Sequence, residues 1–421
     1  MKATLGVLRG LAVDVSPLRS RDFRRLWLGQ VITVIGTTMT LVAVPTQVFQ
    51  ITGRSLDVGI TSMVALVPLV VFGLLGGAIA DAMDRRLLLL ITAGGTSVTS
   101  ALLFAQALLP GGGPLWSLWL LVAVQSAFFA VNSPTRSAVI PRLLPMAQVP
   151  SANALNMTVS TAGVIIGPLL AGLLIESGGL EWAYLIDALG FALALFLLVR
   201  LPSMPPERID PDAARVGPIR RVLNGFAFLR GRQILLMTFV VDLIAMIFGM
   251  PRALFPELAA TTYARSTNAL GWLFAGMAIG ALLAGLLSGW LSRVHKQGFV
   301  ILASIVVWGG AIAMFGLTGS LPLAIFWLAV AGAADMVSAV FRSSMLQTAA
   351  PDEMRGRMQG VFIVVVVGGP RLGDLRAGGM AAFSSPEVAL VSGGAIIIAA
   401  MLVVALVVPS FRRYDARVST P

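Results

Sequence analysis

Cysteine is absent from this chain of 421 residues, and histidine occurs once, as His295. The absence of cysteine excludes disulfides, thiol catalysis and cysteine-ligated metal sites. A single histidine in a polar loop gives no basis for a histidine metal site or a catalytic triad. The sequence also lacks GxxxxGK(S/T), the loop that cradles nucleotide phosphates. We therefore expect a protein that is not an enzyme, uses no cofactor or metal, and does not hydrolyse ATP.

Charged residues are also scarce, at 12% of the chain, whereas hydrophobic residues make up 57% and the mean hydropathy is +0.91. A soluble domain has about 25% charged residues. A membrane helix needs about 20 apolar residues, so the length allows about twelve spans. The first 25 residues lack a long apolar core and a small-residue cleavage site, so no cleavable signal is expected.

The predicted fold is an all-α membrane protein with twelve transmembrane helices in two pseudo-symmetric six-helix bundles. The predicted spans are 26–50, 58–80, 87–109, 115–139, 153–175, 182–200, 233–256, 270–291, 299–318, 321–343, 358–382 and 387–408. The predicted units are an N-terminal segment 1–25, a first bundle 26–200, a linker 201–232, a second bundle 233–408 and a tail 409–421.

The chain repeats itself once, at an offset of 206 residues. Arg136-Ser137 and Pro145 recur as Arg342-Ser343 and Pro351. In the same way Gly163, Gly167 and Gly172 recur as Gly369, Gly373 and Gly378, and Pro45 recurs as Pro251. Two parallel halves in a membrane protein are typical of a secondary transporter whose substrate site lies between them.

The distribution of basic residues predicts the orientation. With the N-terminus in the cytoplasm, 25 of the 30 basic residues fall in cytoplasmic segments, as the positive-inside rule requires. The remaining five are Arg54, Arg252, Arg265, Arg371 and Arg376. We therefore expect both termini in the cytoplasm of a bacterial cell whose cytoplasmic membrane holds the protein. This distribution explains the net charge of +11 without a nucleic-acid partner.

The loop after the second predicted span reads Gly77-Ala-Ile-Ala-Asp81-Ala-Met-Asp84-Arg85-Arg86. It resembles the major facilitator superfamily signature GxxxD(R/K)xGR(R/K). The resemblance implies that Asp81, Arg85 and Arg86 belong to a cytoplasmic gate that pairs with the other half and breaks as the halves rock. Ala82 and Asp84 depart from the pattern, and Asp84 is expected to add a charge to the gate. A weaker copy follows 208 residues later, at Gly285, Gly289 and Arg293.

The fifth span contains Gly163-Val-Ile-Ile-Gly167-Pro168-Leu-Leu-Ala-Gly172. It resembles in part the exporter motif of this superfamily, Gx8Gx3GPx2GG, with alanine at two glycine positions. Glycine and proline permit close helix approach and bending, and plain tight packing is the alternative interpretation.

Several further stretches resemble the enterobactin-exporter branch, also described as transmembrane secretion effectors: Arg136-Ser-Ala-Val-Ile-Pro141, Ala152-Asn-Ala-Leu155 and the segment from Met345 to Arg357. The resemblance covers essentially the whole chain. It implies export by a proton-coupled monomer. Two cargoes stay open, a siderophore or similar secreted metabolite and a multidrug or macrolide substrate.

Ionisable residues inside spans are costly and mark functional sites. Asp242, Asp335 and Asp374 are the candidates for proton coupling, with Asp242 first because no basic residue is near it in sequence. The alternative for each is a structural ion pair. Arg371 and Asp374, three residues apart, are expected to be able to pair.

Four arginines, Arg136, Arg342, Arg371 and Arg376, are candidates for the substrate cavity, and they favour an anionic cargo. The expected mechanism is alternating access, with the two halves rocking about a central site as one proton enters and one substrate leaves.

Overall fold

The computed structural model describes residues 14–206, 231–349 and 363–415, together with residues 227 and 229. Twelve long helices cover most of these residues: α1 Arg21–Thr52, α2 Ser55–Ala82, α3 Arg85–Ala107, α4 Leu115–Leu143, α5 Val149–Ser177, α6 Glu181–Leu198, α7 Gln233–Gly249, α8 Ala269–Leu286, α9 Gln297–Gly316, α10 Leu321–Ala349, α11 Gly368–Phe383 and α12 Pro386–Val407. Short helices lie at Ser16–Arg19, Phe255–Ala260 and Pro409–Arg412.

Several helix ends follow from the residue found there. The Ser20 hydroxyl accepts a hydrogen bond from the N–H of Phe23 at 3.4 Å and caps the start of α1. Gly53 ends α1 with a left-handed φ of 66°, which glycine adopts without strain. Asp84 caps α3 through the N–H of Leu87, at 3.1 Å. Such caps satisfy main-chain groups that the helix itself leaves unpaired.

The seventh predicted span, 233–256, is interrupted in the structure. Helix α7 ends at Gly249, and a short turn at Arg252–Leu254 leads into the helix Phe255–Ala260. Proline at position 251 has no N–H to continue the helical ladder, which accounts for the break. The break turns Arg252 towards the middle of the molecule.

The helices form two bundles with the same internal packing. In the first half α1 packs against α5 and α6, α2 against α4, and α3 against α4 and α6. In the second half α7 packs against α11 and α12, α8 against α10, and α9 against α10 and α12. The halves meet along two matching pairs, α2 with α11 and α5 with α8. The repeat seen in the sequence is therefore a repeat of helix positions.

Eleven of these spans are long and apolar enough to cross a membrane within the part of the chain that the structure describes. The eleventh predicted span, 358–382, begins outside the described residues, and its described part is α11 preceded by a π-helical stretch, Ile363–Val367. The expected all-α membrane fold is confirmed. The linker residues 207–226 also lie outside the described part.

Candidate substrate cavity and charged clusters

A central cavity of about 560 Å³ lies between the two halves. Helices α1, α2 and α4 supply most of its wall, and residues of α3, α5, α6, α8, α11 and the turn after α7 complete it. Hydroxyl groups dominate the polar lining: Thr33, Thr37, Thr38, Thr40, Thr61, Ser62, Thr96, Ser126, Ser133 and Ser160. Phe129, Phe191 and Phe274 add apolar faces. The volume lies in the range of pockets that hold drug-sized ligands.

Three arginines and one aspartate line this cavity: Arg136, Arg252, Arg371 and Asp374. Arg136 donates to the carbonyl of Leu26 at 3.1 Å, and Arg371 donates to the carbonyl of Val367 at 3.4 Å. Within the described residues, none of the three arginines has a carboxylate within 4.0 Å. The cavity lining therefore carries a formal charge of +2 (three positive, one negative), which no ion pair among the described residues neutralises.

Arg136 and Arg371 were expected in the cavity and are found there. The proposed local pair of Arg371 with Asp374 is not formed. The Asp374 carboxylate instead accepts hydrogen bonds from the Ser62 hydroxyl at 2.9 Å and from the N–H of Ala253 at 3.2 Å. Because Ser62 belongs to the first half, Asp374 ties α11 to α2.

Arg376 does not line the cavity, so its expected place is corrected. Its guanidinium donates to the carbonyls of Phe248 and Ala389, at 3.1 and 2.9 Å, and to the Ser392 hydroxyl at 3.0 Å. The guanidinium also lies over the Phe248 ring, 5.5 Å from its centre. Arg376 therefore holds α7, α11 and α12 together.

Arg342 lies inside the second half, in a cluster with Asp242 and Asp335. It forms an ion pair with Asp242, and its Nη2 lies 3.6 Å from Asp335 Oδ1. The Ser338 hydroxyl accepts from Arg342 Nε at 3.2 Å. Asp242 therefore has a basic partner that the sequence did not reveal, supplied by α10, and Arg342 is separated from the cavity lining.

Two functional candidates were missed by sequence reasoning. Arg252 lies near the end of the seventh predicted span, 233–256, and the break at Pro251 brings it into the cavity wall. Asp187 lies in the sixth predicted span, 182–200, and its side chain is fully buried in the first half. The available signal for Asp187 was a carboxylate within an apolar span; its partners Thr40 and Ser100, which donate to the carboxylate, lie on α1 and α3 among several other hydroxyl residues.

The gate signature sits where α2 turns into α3. Asp84 does not stand as a free charge there: its carboxylate accepts from the N–H of Met204 at 2.9 Å, from Ser203 and from Leu87. Burial acts to raise the pKa of Asp84, but these hydrogen bonds outweigh it and hold the pKa below its ordinary value.

The neighbouring arginines of the signature contact the first half. Arg85 donates to the carbonyl of Ala138 at 3.3 Å, and Arg86 donates to that of Val199. Gly77 and Asp81 lie in α2, but their side-chain surroundings fall outside the described part. In the weaker copy, Gly285 lies on α8 and Arg293 is exposed just after it.

The glycine-proline motif of α5 faces two helices. The carbonyl of Gly163 accepts a hydrogen bond from the Thr38 hydroxyl of α1 at 3.0 Å, and a Cβ on Gly167 would overlap Thr38. A Cβ on Gly172 would overlap Asn268, which precedes α8 of the other half. Pro168, which follows Gly167, is buried, and its carbonyl oxygen lies close to Gly271 of α8. The motif therefore permits close packing within the first half and between the halves.

Comparisons with known proteins agree with this architecture. A family model described as transmembrane secretion effector matches residues 12–421. Enterobactin exporter EntS of Shigella boydii serotype 18 is 31% identical over 393 residues, covering 91% of this chain and 92% of that protein. Enterobactin exporter EntS of Escherichia coli O81 is 30% identical over 393 residues, which again cover 91% of this chain and 92% of that protein.

Solved structures of transporters share the fold. The nucleoside transporter NupG superposes with a TM-score of 0.72 at 15% identity, covering 94% of this chain and 100% of that one. A bacterial homologue of the human lysosomal transporter Spinster, in an inward-facing and unoccupied conformation, gives 0.68 at 15% identity, covering 95% and 97%. The match of the family model over nearly the whole chain shows that this multi-pass membrane protein belongs to the transmembrane secretion effector family of the major facilitator superfamily.

Proposed function

We propose that this protein is a secondary active exporter, driven by proton antiport, of a siderophore or a similar small amphipathic metabolite with anionic groups. The observation that carries the proposal is the set of cavity arginines, Arg136, Arg252 and Arg371, which have no carboxylate within ion-pair distance among the described residues. Hydrogen bonds from guanidinium to an anionic oxygen are stronger than neutral ones. The name of the relatives, enterobactin exporter, points to the same class of cargo.

The cavity lining also suits the amphipathic part of this cargo. Phe129 and Phe274 offer apolar faces from opposite halves, and the hydroxyl groups offer hydrogen bonds without fixed charge. An aromatic chelator with ionised oxygens would satisfy both kinds of group. A cationic drug would meet the field of three arginines, which opposes its entry.

The proposed exporter is a monomer in the cytoplasmic membrane of a bacterium, with both termini in the cytoplasm. The distribution of basic residues supports this orientation. In that orientation the halves are closed at their outer ends, where Ser55 contacts Glu257 and Asn268 contacts Gly172. The cavity extends towards the opposite end, past Gln30 and Arg136. The structure then corresponds to the state that receives cargo from the cytoplasm.

Asp374, Asp242 and Asp335 stay the proposed coupling residues of the second half. Asp374 has direct access to the cavity. The Asp242 carboxylate is paired with Arg342, so the pair has to separate before Asp242 takes up a proton. Asp335 keeps 41% of its side-chain surface accessible and lies at the edge of the same cluster.

The size of the cavity favours a second candidate, multidrug or macrolide efflux by the same fold. A volume of about 560 Å³ accommodates a drug-sized molecule without requiring an anionic group. The arginines are the feature that separates the two proposals.

Mass spectrometry of the medium and of cell extracts from an iron-starved host, with and without the gene, tests the cargo. Loss of the gene is expected to lower a siderophore outside the cells and to raise it inside. Complementation with Arg371→Met should fail to restore export, and complementation with Arg413→Met, which alters an exposed arginine of the tail, should succeed. Unchanged profiles in the deletion strain would favour the multidrug proposal, and a panel of toxic compounds would then identify the substrates.

A further inference from the structure

Asp187 lies on α6 and is completely buried where α1, α3, α4 and α6 meet. Its Oδ2 accepts hydrogen bonds from the Thr40 hydroxyl at 3.0 Å, the Ser100 hydroxyl at 2.7 Å and the Gln125 amide at 3.4 Å. Its Oδ1 is buried and has no hydrogen-bond partner among the described residues. The surrounding side chains therefore donate three hydrogen bonds to Oδ2 and none to Oδ1.

Among the described residues, no positive charge faces this carboxyl group. The groups that face it are Thr40 of α1, Ser100 of α3 and Gln125 of α4, and the titratable group beside it is Tyr184 on its own helix. The Tyr184 hydroxyl donates to Gln47 Oε1 at 2.8 Å and does not reach Asp187. Within the described residues, no arginine, lysine or histidine lies within 4.0 Å of the carboxylate. A buried carboxylate without a cation is costly, and binding a proton removes the charge.

The hydrogen-bonding groups suit both forms of the acid. Hydroxyl groups donate and accept, and a glutamine amide carries both a donor and an acceptor end. Thr40 and Ser100 can therefore donate to the carboxylate and, after rotation of the hydroxyl, accept from the protonated acid. A guanidinium, in contrast, has only donors. Arg342 therefore stabilises the ionised form of Asp242 and not its protonated form.

Asp187 is one side chain away from the central cavity. Thr40 and Gln125, which both bond its Oδ2, also line the cavity wall. The Gln125 amide bonds the Ser100 hydroxyl as well, at 3.0 Å, so the polar groups form one connected cluster. A proton from water in the cavity has a short polar route to the carboxyl group.

We propose that Asp187 is a proton-binding site of the first half, which takes up one proton on its carboxylate from the cavity and returns it as the transporter cycles. This inference rests on the proposed proton coupling and adds a site that the second-half carboxylates do not provide. Because α6 packs along α1, and α1 supplies much of the cavity wall, the charge of Asp187 acts directly on a helix that contacts the cargo.

Infrared difference spectroscopy of the purified full-length protein tests proton binding without requiring any cargo. A pH titration is expected to show the carbonyl stretch of a buried protonated carboxyl group. Asp187→Asn should remove the component of that band that belongs to Asp187, which the difference between wild-type and variant spectra isolates. Asp242→Asn, which removes a carboxylate paired with arginine, should retain this component. Any protonated carboxyl group of the second half adds a separate component that Asp187→Asn leaves in place. Elution as a single species in size-exclusion chromatography checks that each variant is folded.

Ser100→Ala keeps the carboxyl group and covers the case in which Asp187→Asn does not fold. Loss of one hydrogen bond should shift the frequency of the band without removing it. A band whose amplitude is unchanged in folded Asp187→Asn, or whose frequency is unchanged in Ser100→Ala, would overturn the assignment.

Proteoliposomes then separate this inference from the proposed function. In wild-type vesicles a pH gradient should accelerate siderophore transport, and Asp187→Asn should lose the acceleration but keep exchange between siderophore pools at equal pH. Wild-type protein that ignores the pH gradient would contradict the proposed antiport, whereas the infrared result would still decide whether Asp187 binds a proton. Acceleration that survives in the folded variant would contradict the role of Asp187 alone.

Discussion

Arg136 in the first half and Arg342 in the second occupy equivalent positions, 206 residues apart, yet their surroundings are opposite. Arg342 is paired with Asp242 and lies 3.6 Å from Asp335. The positions that correspond to these two aspartates in the first half are Gly36 (36 + 206 = 242) and Phe129 (129 + 206 = 335). Arg136 therefore keeps its charge without a carboxylate partner among the described residues and presents it to the cavity.

This difference separates a structural role from a binding role. A buried charge pair holds helices in register, and removal of one member leaves an uncompensated charge. A buried cation that contacts only a carbonyl is available to an anionic ligand. Helices α4 and α10 are thus equivalent in the two halves. The residues around each arginine determine whether it forms a structural ion pair or faces the cavity.

Two of the three buried aspartates among the described residues, Asp242 and Asp187, show the same contrast. Asp242 in the second half is neutralised by a guanidinium, and Asp187 in the first half is surrounded by hydroxyl and amide groups. Arg342 and Asp242 of the second half thus form an ion pair, whereas Arg136 and Asp187 of the first half have no ion-pair partner among the described residues.

The largest expected effect comes from exchanging the two equivalent arginines for methionine. Arg342→Met leaves Asp242 buried without its cation and is expected to lower the free energy of unfolding by about 3–5 kcal/mol. Arg136→Met removes a cation that has no carboxylate partner among the described residues. The stability of this variant should therefore stay close to that of the wild type, while its binding of cargo falls. Thermal unfolding in detergent measures the first effect, and siderophore binding measures the second. Equal loss of stability in both variants would break the comparison.

The contacts between the halves provide a second test, on Gly378 and Gly379 of α11. A Cβ on Gly378 would overlap the main chain of Ser55, whereas a Cβ on Gly379 would meet Leu56 at 3.9 Å, an ordinary contact. Gly378→Ala is expected to destabilise the closed outer end by about 1–3 kcal/mol, as overpacking does. Gly379→Ala should leave it unchanged.

The absence of cysteine makes the measurement of this effect direct. Ser126→Cys in the cavity wall would be the sole thiol of the chain, and its labelling by a membrane-impermeant reagent from outside reports opening of the outer end. Labelling should rise in the Gly378→Ala background only. Equal labelling in the two alanine variants would show that the interface tolerates a methyl group at either position.

The smallest expected effect concerns the two copies of the gate signature. Asp84 caps α3 and bonds the segment after α6, whereas the copy in the second half has Ser292 before its arginine. Asp84→Ala is expected to cost about 1 kcal/mol of stability, and Asp84→Asn less, because asparagine is also a good N-cap.

The effect of Asp84→Ala depends on pH. The pKa of Asp84 is lowered in the folded protein, so its contribution is present above the pKa of the unfolded chain and is lost as the pH falls through the folded pKa. Unfolding curves of the wild type and of Asp84→Ala should therefore converge in acid, below about pH 4. A difference that stays constant down to acid pH would show that the carboxylate charge contributes nothing.

The sequence predicted the fold because the length of the apolar runs and the internal repeat can be recognised in the chain without knowledge of its packing. Arg136 and Arg371 were placed in the cavity from their positions within spans and the repeat. Arg376 was assigned to the cavity by the same reasoning and proved to bind main-chain carbonyls, since its direction depends on how α7 and α12 pack around it. Pro251 is visible in the sequence, but the sequence did not show that the helix breaks there and that the following turn moves Arg252 inward.

The amino-acid sequence by itself determined that this chain is a membrane protein of two similar helical halves, because apolar length and the spacing of basic residues are properties of the chain alone. Only the tertiary structure decided which charges are paired. Asp242 and Arg342 are 100 residues apart (342 − 242), and Asp187 meets Thr40 and Ser100 from two other helices. Whether a buried group is ionised, neutral or available to a ligand depends on partners that helix packing brings within a few ångströms, and no local pattern encodes them.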